Sequence, residues 1–79
     1  MFTVYILQDN FGKLYKGFTN NLKRRLWEHR NGKTRTTSRM GKIEVVYTEN
    51  FRDKIEARKR ELYFKTAAGR RFIKKILGR

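Results

Sequence analysis

The chain has 79 residues, 38% of them hydrophobic, and carries 21 Lys and Arg against seven Asp and Glu, a formal net charge of +14. That length suits one compact domain, residues 1–79, and the absence of cysteine excludes disulfides, thiolate zinc sites and cysteine nucleophiles, so packing alone must hold it. No run approaches the roughly 18 apolar residues of a membrane span, and Met1 leads into strand-like sequence without an export signal, so a reducing cytoplasm is the expected setting.

Residues 2–8 (FTVYILQ) are β-branched and aromatic enough for a strand, and 13–18 (KLYKGF) supply a second. Between them Asn10, Phe11 and Gly12 fit a three-residue hairpin loop, with Gly12 in the left-handed position and Asp9 pairing with Lys13. That register sets Tyr5 opposite Gly17 and Leu7 opposite Tyr15. Both tyrosines then project from one face, while Val4, Ile6, Leu14 and Phe18 project from the other.

Thr19, Asn20 and Asn21 offer N-caps for a helix running to about Asn31, with Gly32 placed to end it. Leu22, Arg25, Leu26 and His29 share its inner side. Residues 33–42 (KTRTTSRMGK) have the composition of an exposed basic loop. Strand character returns at 43–47 (IEVVY). Asp53 followed by Glu56 resembles a capping box opening a second helix, which is expected to continue through Glu61 towards Ala68 and to break at Gly69. Phe72, Ile73, Ile76 and Leu77 recur at helical spacing and predict a third helix. The expected order is ββαβαα: an α/β (α+β) domain with a three-stranded antiparallel sheet flanked by three helices.

The basic residues are spread along the whole chain, so the folded surface must be basic and its natural partner is a polyanion. A basic strip on a membrane would need a surface-lying amphipathic helix, which the short strands and interleaved aromatics argue against. One histidine without cysteine excludes a structural zinc site, and Gly12 and Gly17 lack the spacing and lysine of a triphosphate-cradling loop. Ser38 has no histidine near it in sequence. What remains is Tyr5 and Tyr15 on one sheet face, Arg25 and His29 a turn apart on one helix, and Glu61 on another. In a chain this basic, that set reads as a centre for cutting a phosphodiester.

On these residues the chain resembles the GIY-YIG nuclease superfamily. The first motif stands as Thr3-Val4-Tyr5 and the second as Tyr15-Lys16-Gly17, with Gly17 the motif glycine; Arg25, His29 and Glu61 follow in order. The stretch 15–29 is most similar to small stand-alone members, kin to the nuclease module of the bacterial excision-repair incision subunit. The resemblance implies a divalent-metal-dependent endonuclease acting on DNA, with Glu61 binding one Mg2+ or Mn2+ ion. It further implies Tyr5 as general base or its relay, Arg25 steadying the phosphate, and Tyr15 and His29 completing the catalytic set. A carboxylate, water and phosphate oxygens suffice for magnesium.

An unperturbed phenol near pKa 10 needs roughly 4 kcal/mol to ionise at pH 7, a deficit that neighbours must make up. Lys33, Arg35, Arg39, Lys42, Lys65, Arg70 and Arg71 are the expected contacts to backbone phosphate. With no reader of base edges, selectivity should follow nucleic-acid structure, or a partner protein should supply it; a monomer or weak dimer is expected. Two departures from the family pattern stand out. Thr3 replaces a glycine on the tyrosine face, and Lys16 replaces an isoleucine on the core face, where its ammonium must reach water along its stem. Two other readings stay open: a non-catalytic RNA- or ribosome-associated binding protein, and a degenerate nuclease that retains only DNA binding. On the plainest view Glu61 simply pairs with Lys65.

Overall fold

Alternation of β-branched and aromatic side chains drives residues 2–9 and 14–19 into a hairpin closed by Asn10–Lys13, and the computed structural model describes residues 1–32 and 41–78 of the chain. Among these the order is β1 (Phe2–Asp9), β2 (Leu14–Thr19), α1 (Leu22–Arg30), β3 (Ile43–Phe51), α2 (Lys54–Phe64) and α3 (Ala67–Ile76). The sheet is antiparallel with β1 in the middle, in the order β2-β1-β3. The expected ββαβαα arrangement is therefore the observed one.

The hairpin register places Tyr5 opposite Gly17 and Leu7 opposite Tyr15. Gly12 adopts φ +88°, a left-handed turn conformation that glycine enters without a Cβ penalty. Asp9 fixes the turn twice over. Its backbone N–H donates to Lys13 O (3.0 Å), and its carboxylate accepts from the amides of Phe11 (2.9 Å) and Lys13 (2.8 Å). The same carboxylate accepts from Gly41 N (3.2 Å), tying the start of β3 to the hairpin tip. Burial acts to raise the Asp9 pKa, but the amide hydrogen bonds and the Lys13 charge outweigh it, and the carboxyl lies below its ordinary value.

Two side-chain layers sandwich the sheet. Val4 and Ile6, with Leu14 and Phe18, pack under α2 and α3 against Ala57, Phe64 and Ile73. Tyr5 and Leu7, with Tyr15, pack under Leu22 and Leu26 of α1. A bulge in β3 reconciles the two. Ile6 pairs with Tyr47 and Leu7 with Val45, so Val46 is the extra residue and both Val46 and Tyr47 face the α2/α3 layer. Arg60 of α2 clamps β3 to that layer: it donates to Glu49 through Nε (2.8 Å) and Nη2 (3.0 Å), while its guanidinium lies over the rings of Tyr63, Phe64 and Phe72.

Helix ends follow local capping. Asn21 caps α1 by accepting from Arg24 N (3.1 Å), and Gly32 leaves the helix at φ +67°. Asp53 caps α2, but it accepts from Ile55 N (2.8 Å) and Glu56 turns to Lys59, so the reciprocal capping box is absent. The expectation that α2 runs to Ala68 and breaks at Gly69 is corrected: α2 ends at Phe64 and α3 begins at Ala67. Thr66 is the reason. Its hydroxyl donates to Tyr63 O (2.6 Å) and accepts from Gly69 N (3.1 Å), closing one helix and opening the next. Gly69 thus lies in the first turn of α3, where an added Cβ would stand 2.0 Å from Tyr63 O.

Candidate active site

Four of the singled-out residues meet on the α1 face of the sheet. Tyr5 is carried by the central strand and Tyr15 by the edge strand β2, their ring centroids 6.2 Å apart. His29, one helical turn after Arg25, meets both rings edge-on, its ring centroid 5.8 Å from that of Tyr5 and 4.9 Å from that of Tyr15. The Tyr5 hydroxyl lies 2.9 Å from His29 Nε2. Both residues are buried, Tyr5 at 1% and His29 at 3% exposure.

Electrostatics set the charge state of that contact. Burial pushes the His29 pKa down, the Arg25 charge pushes it further, and Glu28 opposes weakly, so the imidazole is neutral at pH 7. In its Nδ1–H tautomer the neutral imidazole accepts at Nε2 from the Tyr5 hydroxyl, and in its Nε2–H tautomer it donates to the phenol oxygen. Burial raises the Tyr5 phenol to about 12 against a lowering by hydrogen bonding and charge from Arg25, with Tyr15 adding to the rise. Arg25 also interacts with Tyr15, and its own pKa is raised by Glu28 and Tyr5 despite the opposing cost of burial. Glu28 is a residue that the sequence reading missed. It accepts from Arg25 Nη1 at 3.0 Å and so aims the guanidinium; the three-residue spacing on one helix was the available signal.

Gly17 is explained by contact. A Cβ there would meet Tyr5 Oη at 2.7 Å, Tyr5 Cζ at 2.8 Å and Tyr15 Cε1 at 3.0 Å. The two phenols come together because the residue opposite Tyr5 has no side chain. Thr3, on the same face, donates through Oγ1 to Asn50 Oδ1 (2.8 Å) across the β1/β3 pair, so the departure from glycine is taken up by β3.

Glu61 stands apart from this group. It belongs to α2, which covers the Val4/Ile6 face, and its buried carboxylate accepts from Arg58 Nη1 (3.1 Å) and Lys65 Nζ (3.0 Å). Its side-chain partners among the described residues are these two cations, including the Lys65 pairing that the helical spacing allows. Helix α2 also lies against β2, so carboxylate and phenols approach the same edge strand from its two faces. No group of three His, Asp or Glu gathers for a metal among the described residues.

Of the expected phosphate contacts, Lys42, Arg70 and Arg71 are exposed and Lys65 is held by Glu61. Lys33, Arg35 and Arg39 lie outside the described residues. No described helix is long and apolar enough to cross a membrane.

Comparison with known proteins agrees with this layout. The family described as GIY-YIG catalytic domain matches residues 1–75. The UPF0213 protein CPE1444 of Clostridium perfringens is 44% identical over 63 residues, 78% of this chain and 68% of its own. The UPF0213 protein SERP0126 of Staphylococcus epidermidis is 36% identical over 74 residues, 92% of this chain and 90% of its own. The solution NMR structure of the UPF0213 protein BH0048 from Bacillus halodurans superposes with a TM-score of 0.59 at 30% identity, covering 96% of this chain and 85% of that one. With the tyrosines, arginine and histidine assembled over a motif glycine and a family match across nearly all of its length, the chain belongs to the GIY-YIG family of nuclease domains.

Proposed function

We propose that the chain is a divalent-metal-dependent endonuclease that hydrolyses DNA phosphodiesters with structural rather than sequence selectivity, through Tyr5, Tyr15, Arg25, His29 and Glu61. The observation that carries this reading is the Tyr5–His29 contact of 2.9 Å beside Arg25. Ionising a phenol of pKa about 12 at pH 7 costs roughly 7 kcal/mol, too much for Tyr5 to act as a free phenolate. A relay needs no such ion. With His29 in its Nδ1–H tautomer, Tyr5 hands its proton to Nε2 as it takes one from the attacking water, so charge ends on the imidazole. Arg25, aimed by Glu28, donates to the non-bridging oxygens as negative charge grows there. Tyr15 packs against both rings and keeps the relay aligned.

Glu61 suits a hard divalent cation: it is a buried oxygen donor, and its two partners are half-exposed flexible cations, 57% and 50% accessible, able to swing away. When bound, such an ion would supply positive charge to a phosphate oxygen reaching the β2 edge. Glu61 would hold it, with water and phosphate completing the shell.

The Arg58 and Lys65 ion pairs also favour a second reading, in which Glu61 is structural and the protein only binds nucleic acid. A labelled nicked or branched duplex, titrated with Mg2+ or Mn2+, separates the two. The nuclease reading expects cleavage by the wild type, loss of more than about 100-fold in Glu61→Gln, and unchanged binding by that variant. Cleavage that survives Glu61→Gln, or a wild type that binds without cutting at any metal concentration, overturns it.

A further inference from the structure

On the side of the sheet away from the phenols, β2 and α3 enclose a groove of about 290 Å³ lined by Gly12, Leu14, Lys16, Arg70, Ile73, Lys74 and Leu77. Its floor is apolar, since Ile73 is fully buried and Leu14 and Leu77 pack against the same core. Its walls are cationic. Arg70 and Lys74 are one turn apart on α3 and project together, a like-charge spacing that disfavours the helix on its own.

Lys16 is the anomaly that gives the groove meaning. It occupies a core-facing position of β2, directly opposite buried Ile6, where an apolar residue would pack without cost. Burial lowers its pKa, and the nearby charges of Arg70 and Lys65 lower it further, so the ammonium stands among like charges. Among the described residues, none of Lys16, Arg70 and Lys74 forms an ion pair with an acid. Three cations over an apolar floor are mutually repelling until an anion arrives. Lys16 also lies between Tyr15 and Gly17 on a strand that is at the sheet edge among the described residues, so one step of the pleat separates the phenol site from the groove.

We propose that this groove is a second phosphate-binding subsite, holding the backbone of the nucleic-acid strand where it continues round the β2 edge from the tyrosine face. The inference rests on the chain acting on nucleic acid, as proposed above. The cations take backbone phosphates, and the aliphatic floor takes the apolar side of sugar or base.

Fluorescence anisotropy of a labelled single-stranded oligonucleotide, in EDTA so that no cleavage intervenes, tests it as a function of salt. The groove variant K16Q/R70Q/K74Q is compared with K23Q/K54Q/K75Q, which removes equal charge from exposed positions on three different helices. The slope of log affinity against log salt should shrink by about 2 in the groove variant, at about 0.7 per lost contact, and by less than 1 in the control. Lys16→Met keeps the packing stem and should by itself lower the slope by about 0.7, which provides the reading if the triple variant fails to fold. Equal changes in groove and control variants, or an unaltered slope in Lys16→Met, overturn the subsite. A wild type that binds no oligonucleotide overturns the functional reading itself, which keeps the two failures distinct.

Discussion

Gly17→Ala tests whether the tyrosine pair depends on the missing side chain. The added Cβ would lie 2.7 Å from Tyr5 Oη, 2.8 Å from Tyr5 Cζ and 3.0 Å from Tyr15 Cε1, against about 3.5–4.0 Å for relaxed carbon contacts. Something must therefore give by about 1 Å. Tyr5 is buried on the central strand and bonded to His29, so either that bond breaks or the edge strand moves outward. Overpacking of this kind costs about 2 kcal/mol, which lowers the melting temperature by roughly 8–16 °C in a domain this small. A displacement of about 1 Å in the relay should lower cleavage on the order of 100-fold. NMR titration of His29 gives the local readout: with Tyr5 displaced, water enters and the imidazole pKa climbs back towards 6.5. In a Tyr5→Phe background the nearest clash disappears, so the double mutant should be less destabilised than the sum of the two changes. A Gly17→Ala protein within about 0.5 kcal/mol of wild type, with the His29 titration unmoved, would refute the reasoning.

The same geometry sets the pH dependence of stability. Below pH 10 both folded and unfolded chains keep the Tyr5 proton; between pH 10 and 12 only the unfolded chain ionises, so stability falls by about 2 kcal/mol after allowance for solvent screening. Tyr5→Phe should abolish that alkaline loss in urea melts run from pH 9 to 12, and an unchanged profile would show that the phenol is not buried as described. His29 acts in the opposite sense: its depressed pKa means the unfolded chain protonates first, and stability falls as pH drops below about 6.5, a loss that His29→Gln should remove. Gly69→Ala would drive a Cβ to 2.0 Å from Tyr63 O and 2.6 Å from Phe64 Cα, both backbone. The α2/α3 corner must open, at a cost of about 3 kcal/mol or more, visible as a lowered urea midpoint; a midpoint near wild type would contradict the corner geometry.

The hairpin was legible because three independent signals agreed: alternation, a glycine where the loop turns left-handed, and a register that put both tyrosines on one face. The Arg25–His29 helix was legible from its caps and inner stripe. The α2/α3 boundary was not, because Thr66 sits among helix formers and its capping role appears only when its hydroxyl meets Gly69 N. The bulge at Val46 was hidden as well: a run of isoleucine and valines fits either face, and only packing under α2 and α3 selects one. Glu61 shows the widest gap. Its helical position was readable, yet its attachment to Arg58 and Lys65 on the far side of the sheet depends on how α2 is laid across it. The donors to the Asp9 carboxylate were half legible, since the turn amides are local and the Gly41 amide lies 32 residues away.

That last bond fixes where the chain re-enters the sheet. Gly32 departs from the end of α1 and Gly41 arrives at a carboxylate already committed to the hairpin tip, so the points of exit and return are each anchored by a hydrogen bond between described residues. A single carboxylate thus serves two passages of the backbone, and its loss would slacken the hairpin tip and the entry to β3 together.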